Sequence, residues 1–442
     1  MNDHHAAARR LICIVALLTT SSARAGEVPP QTLPSVQEAP APGPTQAAAA
    51  WVPPHYDRGV VLLMAAEPAS VPYRLKLNHV SQFKYTNTLH VDPTYVDHLG
   101  NERTVQRRND IQLTRDVFYF SGYVFDRRLD FNILLYTSSA TLSATAAGYV
   151  GWVFHKSFAL RAGFFSLPSM RSMTGTYPFF QGTDRSMFVN YMRPGFTQGV
   201  WAEGEPLAGL HYIAMVGNSM NTLDIAAVKI DNKFVYGATV WYDLNDFDRA
   251  WNDYEHHERP ALRIGGAFTY GQEDRLSDLS TASPENNATF ISDGRLLFEA
   301  GALAPGVTVD LATIHLWAAD VGVKYRGLAF NAEVAWRWLS DFRANGALPL
   351  RSIFDWGFEA SLGYFVVPRR LDAYARASLV DGSFVTSYEE GGGLNFYPVS
   401  TRQVWLNVEV MGIHRSPYGG VLYAYSAGQS GTLVQSQLLL RF

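Results

Sequence analysis

Cysteine is almost absent from this chain. The only one, Cys13, lies in an N-terminal stretch that reads as an export signal. Arg9 and Arg10 supply positive charge, Leu11 to Leu18 is a short apolar run, and Ala23-Arg24-Ala25 has the small-x-small form of a cleavage site. Residues 1–25 are therefore expected to be a signal peptide. The chain that remains has no thiol, so it has neither a disulfide nor cysteine chemistry. An exported chain of 442 residues must then be held by another network, and a closed hydrogen-bonded barrel supplies one.

Long apolar runs are missing as well. No segment after the signal has the 18 or more continuous apolar residues of a membrane helix, and Val60 to Ala66 is the longest early run. If the chain sits in a membrane, it crosses with strands. Positive charge is in deficit. Removing residues 1–25 takes away Asp3, Arg9, Arg10 and Arg24 and leaves 33 basic against 39 acidic residues, a charge of −6. No nucleic-acid partner is expected.

Catalytic motifs are also lacking. Gly428-Gln429-Ser430-Gly431 does not have the Gly-x-Ser-x-Gly spacing, and no His-Glu-x-x-His occurs. Asp253, Glu255, His256, His257 and Glu258 form a local acid–histidine cluster. Adjacent histidines lack the i, i+4 geometry of a helical zinc site, so the cluster reads as a solvated loop. No metal, no other cofactor and no enzymatic activity are expected. Barrel enzymes build their sites from dispersed residues, however, and would leave no motif.

Alternation, by contrast, runs through the whole chain. Gly26 to about Pro54 is Pro- and Ala-rich and aperiodic, and 26–72 reads as a periplasmic leader or linker. From residue 73 the period is two. Arg74, Lys76 and Asn78 alternate with Leu75, Leu77 and His79. Ile111, Leu113, Val117 and Tyr119 form an apolar row that Arg115 interrupts. Leu129, Phe131, Ile133 and Leu135 face away from Asp130 and Asn132. The pattern recurs to the end, giving about sixteen strands in residues 73–442. In the last one, Val434, Ser436, Leu438, Leu440 and Phe442 share one face, and Leu433, Gln435, Gln437, Leu439 and Arg441 share the other.

The connections are expected to alternate long and short. Long ones fall near 91–105, 137–145, 167–194, 217–233, 271–310, 341–349, 381–388 and 415–430. The segment Asn245 to Arg259 is long where a short turn is due. Outer-membrane barrels have long external loops and short periplasmic turns. A propeller would repeat about every 40 residues, and no such repeat occurs. The fold class is all-β, a transmembrane antiparallel barrel.

Three stretches resemble the phosphate-selective porin O and P family. The first is Arg107-Arg108 followed by Gly122 and Phe125-Asp126-Arg127-Arg128-Leu129-Asp130-Phe131. The second is Leu160-Arg161-Ala162-Gly163-Phe164-Phe165-Ser166-Leu167-Pro168, with Pro194-Gly195-Phe196 after a loop. The third is Gly393-Leu394-Asn395-Phe396-Tyr397-Pro398 with Trp405-Leu406-Asn407. The resemblance implies a sixteen-stranded trimeric pore in the Gram-negative outer membrane with its third loop folded inward. It also implies passive diffusion of small hydrophilic solutes, with anions or phosphate as the family default. The family's strongly basic pore is not matched by a mature charge of −6.

A channel's chemistry is its lining and its narrowest ring. The 167–194 connection carries Arg171, Tyr177, Phe179, Phe180, Asp184, Arg185 and Arg193, which as a constriction would set a transverse field. Alternation puts Arg74, Lys76, Arg161, Arg263, Arg337 and Arg376 on the inner wall, where they either meet solute or pair within the wall. Leu438, Leu440 and Phe442 are expected to close the barrel, with the terminal aromatic read by the barrel assembly machinery. Lipid, small solutes or anions, and two further copies of the chain are the expected partners. The alternative is a barrel enzyme or adhesin acting through external loops such as 271–310.

Overall fold

The computed structural model describes residues 52–67, 69, 71–175, 177–223, 225–280, 287–420 and 423–442. The expected signal at 1–25 and the leader as far as residue 51 lie outside the described residues.

Sixteen antiparallel strands close into one barrel. They are β1 (Tyr73–Leu89), β2 (Asn109–Val124), β3 (Asp126–Ser138), β4 (Ser143–His155), β5 (Phe158–Ser166), β6 (Phe196–Leu207), β7 (Leu210–Gly217) and β8 (Val235–Leu244). The second half comprises β9 (Ala261–Asp274), β10 (Val309–Tyr325), β11 (Leu328–Ala344), β12 (Ile353–Val367), β13 (Leu371–Asp381), β14 (Thr386–Phe396), β15 (Val404–His414) and β16 (Gly431–Arg441). Each strand pairs with its chain neighbours. β16 pairs back onto β1 from Thr432 opposite Leu89 to Arg441 opposite Val80, which removes any free edge.

The period-two pattern sets the two faces. Ile133, Val150, Ile264, Trp317 and Leu362 are among the large apolar side chains exposed on the outer wall. Exposed aromatics gather near both strand ends: Phe154, Phe158, Tyr364 and Phe396 at one, Trp338, Phe354 and Tyr388 at the other. An apolar band between aromatic girdles is what a bilayer selects.

The long connections lie at one end and, with one exception, the short turns at the other. Two expected loops are cut to 139–142 and 382–385, because the flanking strands run longer than the alternation suggested. The long segment 245–260 enters the barrel from the turn end. Its Phe247, Trp251 and Tyr254 are buried, which explains a length no simple turn needs.

Two expectations change. Thr114 is an extra residue in β2, for Gln82 pairs with Arg115 while Phe83 pairs with Leu113. This bulge switches the alternation. Ile111 stays outside at 77% exposure, whereas Arg115, Val117 and Tyr119 turn inward. The apolar row that Arg115 interrupted is thus two rows on opposite faces.

The second change is in the expected leader. A hairpin, His55–Tyr56 with Val60–Met64, joins the sheet. Val60–Met64 pairs with the start of β1, Val60 opposite Leu77 and Met64 opposite Arg74. It continues the line of β16, and Phe442, the residue after that strand, exchanges backbone hydrogen bonds with His79 at 3.0 and 3.1 Å.

Candidate functional site

The third loop, 167–195, leaves β5 and turns into the lumen. Its Leu167, Met170, Met173, Phe180, Met187 and Val189 are all buried. Side chains of this kind draw a loop out of water. A short helix, α1 (Met187–Met192), begins at Ser186, whose hydroxyl accepts from the Val189 N–H at 3.2 Å.

The wall that receives this loop is acidic. Asp320, Glu333 and Glu359 are cross-strand neighbours on β10, β11 and β12, and Glu389 and Glu409 follow on β14 and β15. The loop donates to them. The Arg171 N–H reaches Glu333 at 2.7 Å, the Met187 N–H reaches Glu389 at 2.8 Å, and the Tyr191 hydroxyl reaches Asp355 at 2.7 Å. Gly182 passes so close that a Cβ there would lie 2.1 Å from Glu409 Oε2.

The expected constriction charges do not form an open ring. Each lies against a neighbouring side chain, because a buried charge needs a partner. Asp184 accepts from Arg115 at 2.7 Å and Lys84 at 3.0 Å. The Arg171 guanidinium lies over Trp251 at 4.7 Å. Arg185 stacks on Phe180, and Arg193 donates to the Tyr423 hydroxyl at 2.8 Å. Tyr177 faces the part of the lumen that stays open.

The wall cations face inward as alternation placed them, and most are paired. Arg263 meets Asp320 at 2.8 Å, Arg337 meets Asp355 at 2.9 Å, and Arg376 meets Glu409 at 2.9 Å. Arg161 lies between Asp130 (2.8 Å) and Glu203. Arg74 pairs with Asp57 of the N-terminal hairpin, next to Lys76. Leu438, Leu440 and Phe442 share the outer face of β16, with Phe442 39% exposed.

The inward turn segment was not anticipated as part of the site; its excess length was the one signal. The Trp251 N–H donates to the Phe179 carbonyl of the third loop at 3.0 Å. Asp248 pairs with Lys324 and with Arg402 (3.0 Å); burial opposes its charge, but these two cations hold its carboxyl below the usual range. Asp253, from the acid–histidine cluster, pins the segment to the wall. It accepts from the Gly327 N–H at 2.7 Å and from the His257 ring and N–H. Burial disfavours its charge, but those donors lower its pKa. The hydrogen bond to Asp253 raises that of His257.

At the loop end, residues 287–308, 415–420 and 423–430 lean over the lumen. Asn287 donates to the Asn190 carbonyl at 2.6 Å, and the Tyr425 hydroxyl to Glu389. Burial pushes the carboxyl of Asp278 up to about 7, despite donors from Thr289.

Two inner chambers lie against β1 to β8. One chamber of ≈ 440 Å³ runs between the third loop and the walls of β1 to β5. Its wall side is Val80, Val117, Tyr119, Leu134, Tyr136 and Phe165; its loop side includes Met173 and Tyr177. A second chamber of ≈ 370 Å³ adjoins it at Tyr149, Phe165 and Gly175 and is lined by Arg161, Glu203, His211 and Arg249. Val117 and Tyr119 are lining residues that the sequence had on the wrong face.

No family model matches the chain, and no curated protein matches it in sequence. Solved structures do. OmpF of Salmonella typhi, in complex with daunomycin, has a TM-score of 0.51 at 11% identity, covering 88% of this chain and 100% of that one. OmpT of Vibrio cholerae follows at 0.49, 10% identity and coverages of 84% and 97%, and an anion-selective porin of Comamonas acidovorans at 0.46, 10% identity and coverages of 84% and 99%. The chain therefore has the fold of the sixteen-stranded outer-membrane porins.

Proposed function

We propose that the protein is an outer-membrane porin that lets small hydrophilic solutes, anions foremost, diffuse passively. The observation that carries this reading is the third loop folded across one half of a closed sixteen-stranded barrel, leaving two adjoining chambers along the other half. In a planar bilayer the purified protein gives stepwise conductance, and its reversal potential in a salt gradient has the anion-selective sign. Absence of steps would sink the reading, and cation selectivity would refute the phosphate-selective kinship that the sequence motifs suggest.

Export by the 1–25 signal, insertion by the barrel assembly machinery and assembly as a homotrimer belong to the same proposal. Two features of the outer wall support the trimer. Ala202, Ala214 and Ala238 line a shallow hollow across β6 to β8. Asp116, His79 and Ser81 form a polar cluster on the outer faces of β1 and β2, with His79 Nε2 2.7 Å from Asp116. A lipid-facing Arg or Lys costs about 2–4 kcal/mol at the midplane, and a lipid-facing carboxylate is also unfavourable, though less so. A neighbouring subunit would cover it. Cross-linking from cysteines at 202 and 116 in membranes tests this, and exclusively monomeric products would overturn it.

The enzyme alternative gains little from its two best candidates. In the Ser81–His79–Asp116 group a single ring nitrogen faces both hydroxyl and carboxylate, so no relay runs through the imidazole. At the loop end His98 Nδ1 meets Asp293, but among the described residues no nucleophile faces its other nitrogen.

A further inference from the structure

The larger chamber has an uneven chemistry. Its wall is apolar and aromatic through Val80, Val117, Leu134, Tyr136, Phe165 and Phe196. Among the described residues that line it there is no carboxylate, and there are three arginines: Arg115, Arg185 and Arg441. The first two sit at Asp184 and Tyr423. Arg441 differs. It stands on the inner face of the closing strand, its guanidinium lies 4.8 Å over Phe179, and no carboxylate pairs with it among the described residues. Its charged neighbours are the cations Lys76 and Arg402.

We infer that this chamber is a binding site for organic monoanions with an aromatic or compact apolar body, aromatic carboxylates being the class that fits. The inference rests on the porin reading and names its solute. A volume of ≈ 440 Å³ lies in the range of about 300–1,000 Å³ typical of small-molecule sites, which are mostly apolar with a few polar groups that orient the ligand. Here Arg441 is the orienting group. Its planar fork matches a carboxylate in bidentate fashion, and the ring of the solute would lie along Val117, Leu134 and Tyr136. A bare phosphate has no use for the apolar wall and would exchange its hydration for one cation. An organic cation would meet Arg441 and find no carboxylate among the described lining residues. A neutral hydrocarbon would leave Arg441 desolvated with nothing gained.

The test is a planar-bilayer measurement on the full-length protein in potassium chloride, titrated with benzoate and, separately, with inorganic phosphate. Benzoate is expected to reduce the chloride current at a concentration at least tenfold below that at which phosphate does. Arg441→Gln is expected to raise the half-effective benzoate concentration at least fivefold while leaving the phosphate response unchanged. Leu134→Asn, which keeps the cation and spoils the apolar wall, is expected to do the same. A clear conductance on which benzoate acts no better than phosphate would overturn this inference and leave the porin reading standing. If no conductance is seen, the porin reading fails, and calorimetry of benzoate binding to the detergent-folded protein decides the site alone. Heat that Arg441→Gln abolishes supports it, and no heat overturns it.

Discussion

Asp184, in the middle of the third loop, lies 2.7 Å from Arg115, the residue at which β2 changes face. The bulge at Thr114 turns Arg115 from the lipid side to the lumen, and the loop brings the carboxylate that neutralises it. Lys84 on β1 completes the group at 3.0 Å. The loop and the strand register therefore depend on one another.

Asp184→Asn should expose that dependence. It leaves two buried cations without their carboxylate, a loss of about 3–5 kcal/mol for a buried pair broken on one side. The sheet should still close, since its ladder is untouched. Single-channel conductance should rise and become noisy as the loop leaves the wall, and the temperature of heat-modified migration should fall. A quiet channel of unchanged conductance would show that the ion group does not hold the loop.

Gly182 makes a sharper probe of the same contact. A Cβ would sit 2.1 Å from Glu409 Oε2 and 3.1 Å from Arg376, two groups that pair with each other. Gly182→Leu should force the loop off β13 and β15, with an overpacking penalty of about 1–3 kcal/mol. Conductance should change more than in Gly182→Ala. Native conductance in both variants would mean that the loop has slack there.

The inward turn segment predicts a pH dependence. His257 has its pKa raised by Asp253, so its contribution is complete below the ordinary histidine value and fades as pH rises through the raised one. Asp253 has its pKa lowered by its donors, so its contribution is complete above the ordinary carboxylate value and fades as pH falls through the lowered one. Between these limits the segment is pinned. Amide protection at 250–258, measured relative to the intrinsic base-catalysed rate, should fall on the alkaline side in the native protein, and His257→Gln should show low protection that does not change across that range. A flat native profile would remove the pair from the account.

Phe442 should matter to assembly more than to transport. It is 39% exposed on the outer face, and its ring lies 5.2 Å from that of His79. Phe442→Gln should lower the amount of heat-modifiable barrel in membranes several-fold while each inserted pore conducts as before. Normal amounts with altered conductance would reverse that assignment.

Strands were legible because a period of two over nine or more residues has few other physical sources. The face was legible wherever the period ran unbroken, as in β16, where the odd residues 433 to 441 point inward. It failed in β2 because one inserted residue reverses every later side chain, and Arg115 in an apolar row was the only trace. Inward charges such as Arg337 and Arg376 sit on the faces that alternation indicates, but which carboxylate each takes, Asp355 on the next strand and Glu409 two strands on, is set by register. Spacing carries no information about that. The chambers were least legible of all, since they are what the third loop and segment 245–260 leave empty.

The N-terminal hairpin acts as a gauge for the seam. Phe442 is opposite His79, and Val60 takes up the same line opposite Leu77. If β16 slid two residues along β1 toward the turn end, Phe442 would arrive where Val60 is already paired. The hairpin can dock only if the last strand has not run past His79. A barrel closed with β16 two residues too far along would therefore leave Val60–Met64 without its place on β1.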